Sequence, residues 1–409
     1  MKLITTTALA LVAALAATPA VAQTKPTPAQ PAQQQEPKAT PSKGALKALS
    51  ELNDAVQRND VANIPAKLAA AQAVATTKDD KYLIGRLQLQ AAIAAKDNAA
   101  MAAAVDAIAA SNFLDAAATS KFYSGLGGSL YNEKQYARAA AAYQRALAIN
   151  PNNADAANML GDALLAGGQK AEAVSAYQRL LQADAAAGRK PDEALIKRAL
   201  AVAYEAKSPV AIDLARQWVG NYPSPASWSD AVAIYTNLNQ PDVEARLDLY
   251  RLMQATGALK TGGEYAQYAR LAADQNNLNE AQAAFDAGVA AKLIDPAKPE
   301  YRDLVQGLKA KSKATAADLE AAAKSAQTGI ALVHIGDRYA AMGNNAKAVE
   351  LYRAALTKPG TDAAVANLHM GIALARSGDK AGATAALNAV TGSRADVAKF
   401  WLTYVNQRA

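Results

Sequence analysis

Residues 123–147, YSGLGGSLYNEKQYARAAAAYQRAL, and residues 157–181, ANMLGDALLAGGQKAEAVSAYQRLL, are one pattern written twice at a spacing of 34. Leu126, Gly127, Leu130, Ala139, Tyr143, Arg145 and Leu147 return as Leu160, Gly161, Leu164, Ala173, Tyr177, Arg179 and Leu181. Apolar residues three and four apart line one stripe of a helix, so each copy reads as two amphipathic helices. Asn132 to Gln135, and Ala166 to Gln169, are the turns between them.

The residue types suit a close helical pair. Two helices approach to about 8–10 Å only over small side chains. Gly127, Ala139 and Ala146 supply the holes, and Leu126, Leu130, Tyr143 and Leu147 the knobs. With Pro151 after the second helix, the period and its Tyr123, Leu126, Gly127, Leu130, Ala139, Tyr143, Ala146 signature resemble the tetratricopeptide repeat. A single hairpin cannot bury its stripe, so hairpins must stack, and the fold expected is an all-α solenoid.

The pattern spreads outward from this pair. Gly44 to Ser111 reads as four Ala-rich helices broken near Asn59, Lys78 and Lys96, with no glycine at the family's eighth position. Pro191 to Tyr222 and Gly263 to Lys292 read as degenerate hairpins, the second with Tyr265, Tyr268, Ala281 and Phe285 in register. Leu332, Ile335, Gly336, Tyr339, Ala348, Tyr352 and Ala355 form a further repeat. Met370, Gly371, Leu374, Ala383, Leu387 and Val390 form the last, 35 residues on. Val397, Phe400, Trp401 and Tyr404 then make one stripe, expected as a helix capping the last repeat. Trp218 reads as core, whereas Trp228 is open to either a core or a ligand-platform reading.

Met1 to Ala22 has Lys2, an apolar run and Ala20-Val21-Ala22 before Gln23, the form of a secretory signal. The run is shorter than the ~20 residues that span a bilayer, so a soluble chain follows its removal. Residues 23–43, rich in Pro and Gln, read as a disordered linker. The expected division is thus signal 1–22, linker 23–43, degenerate hairpins 44–119, two clear repeats 120–187, degenerate hairpins 188–328, two repeats 329–392 and a capping helix 393–409. There is no cysteine, hence no disulfide and no thiolate metal site. The net charge of +7 is scattered and lacks interleaved aromatics, which argues against nucleic acid. A periplasmic or secreted bacterial protein is the expectation.

Candidate chemistry is sparse. His334 and His369 hold equivalent places in consecutive repeats, with Asp337 one turn from His334, but no His-Glu-x-x-His is present. No metal or other cofactor and no catalytic residue are expected. The resemblance implies a groove lined by the first helices, which takes an extended or helical peptide. In the central pair its positions include Tyr131, Asn158 and Asp162; Ser124 and Gly128 stand where carboxylate-clamp members of the family carry Lys and Asn. In the last two repeats the groove positions include Ile330, Val333, Asp337, Val365, Leu368, Ile372 and Arg376. The aliphatic ones need cover, either from another part of the chain or from a partner. A non-enzymatic scaffold for a protein or peptide in the cell envelope is the expected function; an envelope hydrolase, or its activator, on peptidoglycan or polysaccharide is the alternative.

Overall fold

The computed structural model describes residues 37–311 and 313–408. The expected signal (1–22) and residues 23–36 of the expected linker lie outside them. The described residues are all-α, without a strand, and fall into two compact units divided after Pro191.

The first unit holds α1 (Leu46–Gln57), α2 (Ile64–Val74), α3 (Lys78–Ala95), α4 (Asn98–Ala110), α5 (Ala116–Asn132), α6 (Tyr136–Ile149), α7 (Ala154–Ala166) and α8 (Lys170–Ala186). Hairpins pack in sequence order. The α5/α6 and α7/α8 turns each pass through the left-handed region, at Lys134 (φ 61°) and Gly168 (φ 82°). Tyr143 and Tyr177 are fully buried because each lays its ring over the glycine of the preceding helix. A Cβ at Gly127 would lie 2.7 Å from the Tyr143 ring, and one at Gly161 would strike the Tyr177 ring more closely still. Gly161→Ala is accordingly expected to destabilise by about 1–3 kcal/mol, although alanine is the better helix former by ~1 kcal/mol. Thermal melting checks this; a rise in melting temperature would show that the rings do not set the helix spacing.

In the α3/α4 hairpin, expected to lack such a glycine, Gly85 fills the role. Its missing Cβ would lie 2.8 Å from the Ile108 side chain. Isoleucine replaces tyrosine as the knob, so the signature was hidden while its physics persisted.

The end of the expected linker is held down. Thr40 and Ser42 donate backbone amides to Asp79 and Asp80, at 2.9 and 2.8 Å. Asp80 is fully buried and also accepts from the Thr76 and Thr77 amides. Burial alone would raise its pKa, but the hydrogen bonds from Ser42 and Thr77 outweigh it and bring it down to about 2. Its contribution is therefore present above pH ~4, the unfolded value, and lost as pH falls through about 2. Asp80→Asn is expected to cost about 1–3 kcal/mol at neutral pH. Melting at pH 7 and pH 2 checks it, since the two proteins should converge at the lower pH.

The second unit holds α9 (Glu193–Glu205), α10 (Val210–Asn221), α11 (Pro225–Asn239), α12 (Val243–Ala255), α13 (Gly262–Asp274), α14 (Leu278–Ala290), α15 (Arg302–Ala310), α16 (Ala316–Ser325), α17 (Gly329–Ala341), α18 (Asn345–Ala355), α19 (Ala363–Arg376), α20 (Lys380–Asn388) and α21 (Ala395–Gln407). Gly336 and Gly371 repeat the close approach, against Tyr352 and Leu387.

The expected cap, α21, does more than cover the last repeat. It packs on α19 and α20 and also on α10 and α12, from the beginning of the unit. Phe400 and Trp401 are fully buried, and Phe400 lies 5.7 Å from Tyr235 and 6.4 Å from Trp228, which is therefore core. Just before the helix, Arg394 donates to Asp242 and Glu244 at 2.7 and 2.8 Å, while Arg216 pairs with Asp396 at 3.0 Å. Trp218 is core as well, its indole N–H on Glu193 at 3.0 Å. The second unit thus closes on itself, joining helices 150 or more residues apart.

Candidate functional site

Closure brings charged side chains from four helices to one place. On α12, Asp248 and Arg251 stand one turn apart, amid Leu247, Leu249, Leu252 and Met253, all buried. A helix apolar on nearly every side must be enclosed. Its two charges are therefore enclosed too and need partners.

Arg251 finds them on α14 and on its own helix. Its Nε and Nη2 donate to the two carboxylate oxygens of Glu280, both at 2.7 Å, and Nη1 donates to Asp248 Oδ1 at 2.7 Å. The planar guanidinium fork suits this two-point contact. Glu280 further accepts from Tyr268 at 2.8 Å and from Asn277 at 2.9 Å.

On α19, His369 lies between two carboxylates. Nε2 is 3.2 Å from Asp248 Oδ1 and Nδ1 is 2.7 Å from Asp337 Oδ1, on α17. The second approach is an ion pair rather than an aligned hydrogen bond, since Nδ1–H is not directed along it. Tyr352 donates its hydroxyl to the same Asp337 oxygen at 2.8 Å.

Burial opposes every charge here, and pairing overrides it. Desolvation would lower the His369 pKa, but Asp337 and Asp248 outweigh it and raise it to about 10, so the ring is an imidazolium at neutral pH. Burial would raise Asp337 and Asp248, yet the His369 charge beside them drives both below the usual carboxylate range. Three carboxylates against two cations leave one negative charge in excess. No group of three or more acidic, histidine or cysteine side chains among the described residues is arranged to hold a metal. His334, also on α17, is exposed and lines the wall of a small cavity that His369 and Asp337 share.

The groove residues of the last two repeats separate into distinct environments. Val333, Val365, Leu368 and Ile372 are buried, covered by the chain itself. Covering each such side chain contributes about 1.5–3 kcal/mol, which is why this face does not stand open. As a binding surface for a partner it is therefore corrected: in the closed unit these side chains are core. Asp337 is engaged by His369 and Tyr352, Arg376 is half-buried and Ile330 remains 51% exposed.

In the first unit the corresponding face differs. Ser124, Gly128, Tyr131, Asn158, Asp162 and Leu165 are half-buried, and Lys121 and Asp155 exposed. Asp162 accepts the Tyr177 hydroxyl at 2.6 Å, the same bond that Asp337 makes with Tyr352. In both repeats the tyrosine reaches past the glycine to fix a carboxylate on the first-helix face. The sequence signal was there, an aspartate immediately after Gly161 and Gly336 with a tyrosine sixteen residues beyond the glycine. Asp248, Arg251 and Glu280 were missed, because they lie in hairpins whose signature has faded.

No described helix is long and apolar enough to cross a membrane. No curated protein matches the sequence. Solved structures similar to the chain include a tetratricopeptide repeat protein from Parabacteroides merdae, 12% identical, covering 80% of this chain and 99% of that one, with a TM-score of 0.27. The pilF protein of Pseudomonas aeruginosa is 15% identical over 64% of this chain and 99% of its own, with a TM-score of 0.24. The quorum sensor NprR from B. thuringiensis, in its apo form, is 12% identical over 76% of this chain and 97% of its own, also with a TM-score of 0.24. The tetratricopeptide repeat family matches residues 124–188, 158–224 and 333–398. The matched stretches fall in both units and include the glycine and tyrosine contacts of α5 to α8 and of α17 and α18, so each unit carries sequence similar to the tetratricopeptide repeat.

Proposed function

We propose that this protein is a non-enzymatic scaffold, exported to the bacterial periplasm or beyond, which holds a protein or peptide partner on the first-helix face of α5 and α7. The observation that carries the reading is the contrast between its two repeat pairs. Four aliphatic groove positions of the C-terminal pair are buried by the chain, while Lys121, Ser124, Gly128 and Asp155 of the central pair reach the surface. Small and polar side chains on a rigid stack suit an extended peptide, which is held chiefly through its backbone and a few side chains. Export rests on the N-terminal pattern of Lys2, apolar run and Ala20-Val21-Ala22.

A photo-crosslinking residue at Lys121, compared with one at Gln144 on the second helix, tests the face. Both positions are exposed. Partner adducts are expected from Lys121 and not from Gln144; equal capture, or capture from Gln144 alone, removes this surface. Cell-wall sacculi incubated with the purified chain test the other half. Soluble fragments absent from a heat-denatured control would replace the scaffold with a hydrolase.

A further inference from the structure

Three repeats lay a tyrosine over the glycine of the preceding helix: Tyr143 over Gly127, Tyr177 over Gly161 and Tyr352 over Gly336. Two of the three hydroxyls go on to a carboxylate of the first-helix face, Tyr177 to Asp162 at 2.6 Å and Tyr352 to Asp337 at 2.8 Å. In both, that aspartate directly follows the glycine. After Gly127 the chain has Gly128 instead. Tyr143 is only 2% exposed, and its hydroxyl lies 3.7 Å from where a Gly128 Cβ would stand, aimed at the space the missing side chain leaves. It makes no hydrogen bond among the described residues. Nor is its oxygen sealed away, unlike the unpartnered Gln88 Oε1 and Asn98 Oδ1 of the same unit. A donor held this deep, with little water around it, favours any acceptor that reaches it.

The surroundings select that acceptor. Burial raises the Tyr143 pKa to about 12, with Tyr131 and Asp162 adding to the rise, so the phenol keeps its proton and donates at neutral pH. Asp162, on the adjacent first helix, sets a negative charge near enough to be felt at Tyr143, which disfavours a second carboxylate there. An uncharged acceptor meets no such opposition. The approach is also open to main chain: three residues before Gly128 on α5, Gly125 has nothing within 4 Å of its own Cβ position, so an extended segment can lie flush against the helix. We propose that the Tyr143 hydroxyl and the gap at Gly128 form a main-chain subsite, in which the hydroxyl donates to a backbone carbonyl of an extended peptide partner. This rests on the scaffold reading and names an atom by which that face holds its ligand. The peptide supplies the acceptor that Asp162 and Asp337 supply within their own repeats.

Two measurements on the full chain test it. Without ligand, Tyr143→Phe is expected to leave the melting temperature unchanged, because the hydroxyl bonds to nothing in the chain, whereas Tyr177→Phe is expected to lower it. A fall for Tyr143→Phe as large as that for Tyr177→Phe would mean a hydroxyl already satisfied and would overturn the proposal. With ligand, the probe is a peptide selected from a random displayed library on the immobilised chain and confirmed by crosslinking at Lys121. Tyr143→Phe is expected to bind it about tenfold more weakly, the worth of one hydrogen bond. Replacing one amide linkage of the peptide by an ester, which weakens the carbonyl as an acceptor, is expected to weaken binding to the parent and not to Tyr143→Phe. Gly128→Asn, which sets an amide carbonyl in the gap from within the chain, is expected to abolish binding. Equal binding by the parent and Tyr143→Phe, or undiminished binding by Gly128→Asn, removes the subsite and leaves the scaffold reading standing. Coupling of Tyr143 to an acidic side chain of the peptide, in place of the ester effect, overturns the carbonyl assignment. A selection that yields no peptide crosslinking at Lys121 removes the scaffold reading itself, and the subsite with it.

Discussion

Trp401→Ala is expected to destabilise the second unit by about 3–5 kcal/mol, the range for truncating a fully enclosed aromatic. Trp401 has no exposed surface, and neighbouring Phe400 packs against Trp228 and Tyr235 from the opposite end of the unit. A cap on a linear stack would lose contact with one repeat only. Here the loss falls on the seam between the first helices and the last, so α9 to α21 should all feel it. For about 200 residues, each kcal/mol moves the melting temperature by ~2–4 °C, giving a fall of roughly 6–20 °C. Removing residues 395–409 entirely should go further and leave Tyr235 and Trp228 exposed and prone to association. Hydrogen exchange locates the effect: faster exchange confined to α19 and α20 would show that α21 is a simple cap after all.

The second large effect lies in the buried ions. Arg251→Met removes the fork from both oxygens of Glu280 and the hydrogen bond to Asp248, leaving carboxylates in the interior with only His369 to balance them. Breaking a buried pair in this way costs about 3–5 kcal/mol. The double change Arg251→Met with Glu280→Gln should recover part of that, because no bare charge then remains at the fork, and a double-mutant cycle separates the coupling. His369 adds a pH signature. Its pKa rises on folding, from an unfolded value near 6.5 to about 10. Its stabilising contribution is thus fully present below pH 6.5 and is lost as pH rises through about 10. The difference in stability between the parent and His369→Gln should therefore shrink between pH 7 and pH 10. A difference constant over that range would show that the imidazole is neutral in the fold.

What is legible in the sequence is whatever repeats locally. Gly127 with Tyr143, Gly161 with Tyr177 and Gly336 with Tyr352 are contacts between residues sixteen apart, and a period of 34 exposes them. The Gly85 and Ile108 contact escaped because its spacing and knob both differ. Closure escaped for a deeper reason. Arg251 meets His369 across 118 positions and Arg216 meets Asp396 across 180, and nothing in a repeating pattern specifies contacts that occur once. A clue existed in 243–253, where Leu247, Leu249, Leu252 and Met253 surround the helix and enclose Asp248 and Arg251. Charges in such a setting mark an interior in need of counter-ions. The equivalent repeat positions of His334 and His369 are legible in the sequence, but the carboxylates that flank His369, Asp248 on α12 and Asp337 on α17, are not.

The closure by α21 also limits how this chain can change in length. An open stack gains or loses a hairpin at little cost, since each hairpin touches only those beside it. In the second unit, an added hairpin anywhere between α12 and α19 would carry Phe400 and Trp401 away from Trp228 and Tyr235, and His369 away from Asp248. Duplication or deletion of a 34-residue segment there must break two seams at once, whereas the same event between α5 and α8 meets no such closure within its own unit. Natural variation in repeat number should accordingly accumulate in the first unit, with the second inherited as a block of fixed size.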